Sequence, residues 1–164
     1  MSKFDELVQR VIKWSEGIDL YNQSTVLKQA SKAYEEFAEL LSAMDDGDTE
    51  EIKDAIGDIV VCLVNASHLS SETLIAQLGR EESDDPKLDE VVLCVSSDII
   101  EDPISAVSNL SIIANAYGAT IDECFEMAVE TIEKRKLLMV NGKAVKWENM
   151  TDEQRELWVS RNEV

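Results

Sequence analysis

Two stretches of this chain combine apolar residues at helical spacing with acids that fall on one side, and a short Asp/Gly turn joins them. A helix turns by about 100° per residue, so Glu36 and Glu39 stand one turn apart on a single face, with Glu35 beside them. In the second stretch Glu51, Asp54 and Asp58 follow at i, i+3 and i+7, while Ile52, Ile56, Ile59, Val60 and Leu63 supply the apolar surface. Between them, Met44-Asp45-Asp46-Gly47-Asp48-Thr49 reads as a helix stop followed by an N-cap, because Gly tolerates left-handed dihedrals and Asp or Thr accepts from free amides. Helices joined this tightly pack side by side and antiparallel, which sets the two acidic stripes face to face. Four or more carboxylates crowded together cannot all stay ionised without a cation between them. Oxygen ligands of this kind suit Mg²⁺ or Mn²⁺.

The competing explanation is a solvated helix face, where Glu and Asp are common. Placement separates the two. Glu36 and Glu39 neighbour Phe37, Leu40 and Leu41, and Asp58 sits inside the run AIGDIVVCLV. A carboxylate in an apolar run needs a partner.

The rest of the chain is helical by periodicity. Phe4, Leu7, Val8, Val11, Ile12 and Trp14 repeat at helical spacing up to Gly17; Thr25 to Met44 and Asp48 to about Leu69 form the acidic hairpin, with Ser70 to Leu78 continuing or bending it. Gly79 to Asp85 is a charged link. Leu88, Val91, Val92, Val95 and Ile99 predict a helix ending near Asp102-Pro103, and Ile104, Val107, Leu110, Ile113 and Ala114 another ending at Tyr117-Gly118. Thr120 caps a last long helix running to about Met139, and beyond the Asn141-Gly142 turn a short helix starts at Thr151. No segment alternates convincingly as a strand. The expected fold is therefore an all-α bundle of about five to six helices in a single domain over 1–164, with the metal-site hairpin at about 25–69 and a basic helix and tail at about 120–164.

The hairpin resembles the all-α nucleoside triphosphate pyrophosphohydrolases of the MazG-like type, whose signature is EExxE, a short connection, then ExxD. Glu35-Glu36-Phe37-Ala38-Glu39 matches the first half, and Gly57-Asp58 followed by apolar residues matches the end of the second. Where the family carries its second-half Glu this chain has Ala55; Asp54 lies on the Asp58 face, and Glu51-Ile52-Lys53-Asp54 also reads as ExxD, so Asp54 and Glu51 both stand as replacements. The resemblance continues in ECFEMAVETIEKRKLLMVNGKAVKW, which is similar to the terminal helix and basic tail of phage-type members. It implies Mg²⁺-dependent hydrolysis of a nucleoside or deoxynucleoside triphosphate to the monophosphate and pyrophosphate. In that reading Glu36, Glu39, Asp54 and Asp58 hold the metal and Glu35 orients or deprotonates the water. Arg135 and Lys136 grip phosphate, and a homodimer or homotetramer completes the site. Basic residues at a helix C-terminus are also favoured by its dipole alone. Lys32 is placed for an intrahelical ion pair with Glu35 or Glu36 and, as a second role, for phosphate contact. Asn65, seven residues past Asp58 on its face, is either a hydrogen-bonded core residue or a substrate contact.

Charge agrees with a need for metal. With 34 acidic and 15 basic residues the net charge is −19, which disfavours nucleic acid and anionic membrane and would repel a triphosphate unless cations reversed the local sign. The same charge suits a non-enzymatic all-α module that docks a basic protein or mimics nucleic acid, and burial of the acids distinguishes the two. Cys62, Cys94 and Cys124 are odd in number and set among apolar residues, which predicts core thiols in a reducing, cytoplasmic compartment. The N-terminal segment is unlike a signal peptide, and no apolar run is long enough to span a bilayer. His68 lacks Cys or Asp neighbours and reads as structural, and no serine has a triad partner beyond it. Trp14, Trp147 and Trp158 are candidates for stacking a base or for closing a core.

Overall fold

The computed structural model describes residues 1–77 and 87–163; the expected charged link at Gly79 to Asp85 lies outside the described residues. The acidic hairpin forms as α3 (Val26–Asp46) and α4 (Thr49–Leu69). Its turn works as the residues suggest: Gly47 takes a φ of 68° to end α3, and the Asp48 side chain accepts from the Glu51 amide to start α4. The two helices pack along their length.

α4 is the centre of the molecule. Ile52, Ile56, Ile59, Val60, Leu63 and Val64 are buried along its inner face, each removal from water worth roughly 1.5–3 kcal/mol, and from Ile59 to Ser67 every residue is buried. α1 (Lys3–Gly17), α3, α6 (Pro103–Ala116) and α7 (Ile121–Glu133) all pack on it, and α5 (Leu88–Glu101) packs on α6 and α3. Capping defines these boundaries. Ser2 with Asp5 and Thr120 with Glu123 make capping boxes at α1 and α7, while Asp102 caps α6 with Pro103 at its first turn. Two polar ties fix α5: Tyr34 OH donates to Ser96 O at 2.7 Å, and Asn109 Nδ2 donates to an Asp98 carboxylate oxygen at 2.9 Å.

Several expectations need correction. Eight α-helices stand among the described residues instead of about five to six: six longer ones, an unexpected four-residue turn, α2 (Leu20–Gln23), after α1, and the short tail helix α8 (Asp152–Asn162), which Thr151 caps as expected. α4 stops at Leu69, and the following residues up to Gln77 are irregular. The last long helix ends at Glu133, not near Met139. Leu137–Val140 (β1) and Lys143–Lys146 (β2) instead form an antiparallel hairpin, so the fold is mostly helical with one two-stranded sheet. Asn141 and Gly142 both have positive φ, 50° and 77°, the two-residue turn whose twist matches paired strands. Cys94 is exposed, whereas Cys62 and Cys124 are buried as expected. α5 turns Val91, Val95 and Ile99 inward at i, i+4 and i+8, and Cys94 falls outside that stripe. Among the described residues no helix is long and apolar enough to cross a membrane.

The tail makes a small core of its own. Leu138, Met150 and Trp158 are buried together, with Trp147 edge-on to Trp158 at 5.5 Å between ring centroids. It is tied to the main body where Met139 N donates to Ile18 O, Gly142 N to Gln23 Oε1, and Asn162 Nδ2 to Gly17 O. The hairpin is thereby held against the end of α1 and α2.

Candidate metal and phosphate site

Acids from α3 and α4 meet basic residues at one cavity. Its volume is about 190 Å³, and its polar lining comprises Gln29, Lys32 and Glu36 from α3, Asp58 and Asn65 from α4, and Arg135 just past α7. Helical spacing explains the set. Gln29, Lys32 and Glu36 fall at i, i+3 and i+7 on α3, and Asp58, Cys62 and Asn65 at i, i+4 and i+7 on α4, so each helix turns one stripe to the same space. The apolar lining includes Trp14, Ile18, Val61, Leu137 and Met139.

Neither Glu36 nor Asp58 is at ease in this position. Both are half-buried. Burial, the charges of Asp58 and Glu39, and a hydrogen bond with Glu39 push the Glu36 carboxyl up to about 7, against a smaller pull from Lys32. Burial and the charge of Asp54 push Asp58 up to about 6, with Arg135 and Lys32 opposing and Glu39 adding to the rise. Glu36 and Asp58 therefore sense each other across the helix pair. Asp54, not Glu51, is the second-helix acid whose charge acts on Asp58. Ala55, at the position of the family's Glu, is buried in the core. Cys62 lies one turn past Asp58 on the same stripe, and burial pushes its thiol up to about 12, so it serves as neutral wall.

Of the remaining residues singled out from sequence, Glu35, Glu39 and Asp54 are exposed and flank the cavity without lining it. Lys136 does not join Arg135; its Nζ sits 5.1 Å from the ring centroids of both Trp147 and Trp158. Those two tryptophans close the tail core, whereas Trp14 lines the cavity. His68 packs against the Tyr21 ring at 4.3 Å, a structural contact. Gln29 and the hairpin wall of Leu137 and Met139 were not anticipated. Gln29 was detectable as the residue one face-repeat before Glu36, and the hairpin from Asn141-Gly142 between apolar residues.

The donor set fits a hard divalent cation in chemistry: oxygen ligands, half-buried, with proton affinity raised chiefly by burial and then by neighbouring carboxylates. As they stand, no three Asp, Glu, His or Cys side chains among the described residues converge closely enough to hold a metal ion.

A pH dependence follows. The folded-state affinities of Glu36 and Asp58 for protons exceed their ordinary values of 4.5 and 3.8, so the folded protein binds more protons than the unfolded chain between about pH 4 and pH 7. Without divalent cation, stability is expected to fall as pH rises through that window. The loss should be roughly 2–3 kcal/mol for the pair, after discounting for solvent screening and for counting their mutual repulsion once. Asp5, Asp19 and Asp102 are held below the usual carboxylate range by hydrogen bonds and act with the opposite sign only below about pH 4. Melting curves in a chelator at intervals from pH 4.5 to 7.5 check this; a melting temperature that climbs across the range contradicts it.

No family model matches the chain, and no solved structure matches it. It is similar to a protein of Haemophilus phage HP1 (strain HP1c1), described as "Uncharacterized 18.2 kDa protein in rep-hol intergenic region", with 35% identity over 74 residues, 43% of this chain and 45% of that protein. The chain thus matches less than half the length of that relative.

Proposed function

We propose that the protein is a MazG-like, Mg²⁺-dependent nucleoside triphosphate pyrophosphohydrolase that releases a monophosphate and pyrophosphate. The observation that carries this reading is the half-buried Glu36–Asp58 pair facing Arg135 and Lys32 in one cavity. An acidic surface mimic would keep its carboxylates in solvent, where repulsion is cheap; burying two of them against apolar walls has a cost that Arg135 and Lys32 offset in part and a bound cation would offset further.

Glu36 and Asp58, with Glu39 and Asp54 beside them, would hold Mg²⁺, and Mn²⁺ suits the same oxygens. The ion, when bound, neutralises the triphosphate and makes a water acidic enough to attack at neutral pH. Arg135 would present a planar fork of donors to phosphate oxygens, and Lys32 would add charge from α3. Hydrolysis joins the water oxygen to phosphorus, breaks the α–β anhydride bond, and leaves a proton for Glu35, the exposed acid on the turn beside Glu36. Lys136 would act indirectly, bracing the tail through Trp147 and Trp158. A homodimer or homotetramer is part of the proposal, and the outward Leu27, Leu93 and Ile100, 72%, 70% and 61% exposed, give it apolar surface to bury.

Pyrophosphate release from a panel of nucleoside triphosphates with Mg²⁺ is the test. Glu39→Gln is expected to lower the rate by more than about a hundredfold, since even outer partners of metal sites typically cost 10–100-fold. Absence of release, or release unaffected by the substitution, rejects the reading.

A further inference from the structure

The cavity has a second polar level away from the acids. Asn65 is only 2% exposed, and its Oδ1 accepts two hydrogen bonds at 2.8 Å, from Ser15 Oγ and from Tyr21 OH. Both lone pairs of that oxygen are engaged, which fixes which way the amide points. Ser15 is fully buried, and burial pushes the Tyr21 phenol up to about 12, so both hydroxyls stay neutral donors at working pH. The Asn65 Nδ2 has no acceptor among the described residues, and Asn65 lines the cavity. Asn65 therefore offers the cavity hydrogen-bond donors and no acceptor.

Register sets the distance to the acids. Asn65 lies seven residues beyond Asp58 on α4, and Gln29 seven residues before Glu36 on the antiparallel α3. Seven residues of helix rise about 10 Å, so the two amides stand level with each other about two turns from the carboxylates. Ile18 and Leu20, from the same segment as Ser15 and Tyr21, give this level apolar walls, and Trp14 adds an indole whose Nε1 has no hydrogen-bond partner among the described residues. A ligand filling both levels is anionic at one end and flat, apolar and acceptor-bearing at the other. The cavity's volume of about 190 Å³ is below the roughly 300–1,000 Å³ of typical ligand pockets, which favours one ring over two.

We propose that the site selects pyrimidine over purine nucleoside triphosphates, with Asn65 Nδ2 donating to a ring carbonyl oxygen and with Ser15 and Tyr21 as positioning residues that hold its amide in that sense. The proposal rests on the hydrolase reading above. Every pyrimidine nucleotide base carries the carbonyl that Asn65 requires, whereas adenine has none and guanine, which has one, is disfavoured by the size of its second ring.

The test is kcat and KM for dUTP, dCTP, dATP and dGTP with Mg²⁺, in the wild type, Ser15→Ala and Tyr21→Phe, with melting temperatures to establish folding. The wild type should favour pyrimidines over purines in kcat/KM by about tenfold or more, the discrimination expected of one buried hydrogen bond plus shape. Each variant should raise pyrimidine KM several-fold with kcat held, and should narrow the preference. Purines turned over equally well by the wild type overturn the proposal by themselves, whether or not the variants fold. A preference that survives in a folded variant overturns the role given to Asn65. Turnover of none of the four rejects the hydrolase reading, and the base assignment with it.

Discussion

Asp58→Asn is expected to eliminate pyrophosphate release and at the same time to make the cation-free protein more stable. Most substitutions at a half-buried position destabilise, so the combination is diagnostic. Asp58 stands in an apolar run with its charge opposed by burial, Asp54 and Glu39, and only partly relieved by Arg135 and Lys32. An amide of the same shape removes the charge, and it also lifts the repulsion that helps push Glu36 up to about 7. At pH 7.5 the gain should be about 1–2 kcal/mol after discounting for solvent screening, a rise of a few degrees in melting temperature for a chain of this size. Activity should fall by more than about a hundredfold, because a carboxylate oxygen that would ligate Mg²⁺ directly is lost. Mg²⁺ should raise the melting temperature of the wild type and leave the variant nearly unmoved, since a ligand stabilises only the fold that binds it. The variant should also show a shallower fall in stability between pH 4 and pH 7, which separates this pair from the general repulsion of a chain with net charge −19. An Asp58→Asn protein that melts lower than the wild type in chelator would mean that the carboxylate is satisfied where it is, and the metal reading would go with it.

What the sequence revealed and what it hid divide along a physical line. The α3–α4 hairpin was legible because each signal in it is local: Asp48 caps through the amide three residues on, Gly47 takes the left-handed turn, and the apolar stripes repeat at helical period. Asp58 stood out for the same reason, a charge in a run with no solvated face. The end of α7 was not legible by period alone. Ile132, Lys136 and Met139 keep helical spacing past Glu133, so the four apolar residues Leu137 to Val140 read equally well as helix or strand. What decides is docking across the chain, Met139 N onto Ile18 O and Gly142 N onto Gln23 Oε1, and contacts between distant segments leave no periodic trace. Lys136 followed the same error: with the helix stopped and a strand begun, it lands on Trp147 and Trp158 while Arg135 remains at the cavity. Cys94 was misplaced because VVLCV marks no outside, and only the packing of α5 on α6 and α3 decides which of its residues face out.

Gly57→Ala should destabilise the protein severely, against the prediction of helix propensity. Gly57 lies in the interior of α4, where Ala is normally preferred by about 1 kcal/mol. Here a Cβ would lie 2.2 Å from the Cys124 carbonyl oxygen, 3.0 Å from the Cys124 carbonyl carbon and 2.9 Å from the Ala128 Cβ. The nearest obstacle is backbone, so no rotamer change relieves it and the two helices must separate. Overpacking of this kind typically costs 1–3 kcal/mol and more where rigid backbone is the obstacle, so the net loss should be about 2 kcal/mol or greater, read as a lower urea midpoint at unchanged slope. The close approach also serves the site. α7 delivers Ile132 and then Arg135 to the cavity, and it does so from the position that Gly57 permits, one residue before Asp58. Material that still folds should therefore show weakened substrate binding, a raised KM, because Arg135 is carried outward with its helix while Glu36 and Asp58 stay put. Ala at this position leaving stability unchanged or improved would mean that α4 and α7 do not cross at Gly57, and the placement of Arg135 opposite Asp58 would lose its structural cause.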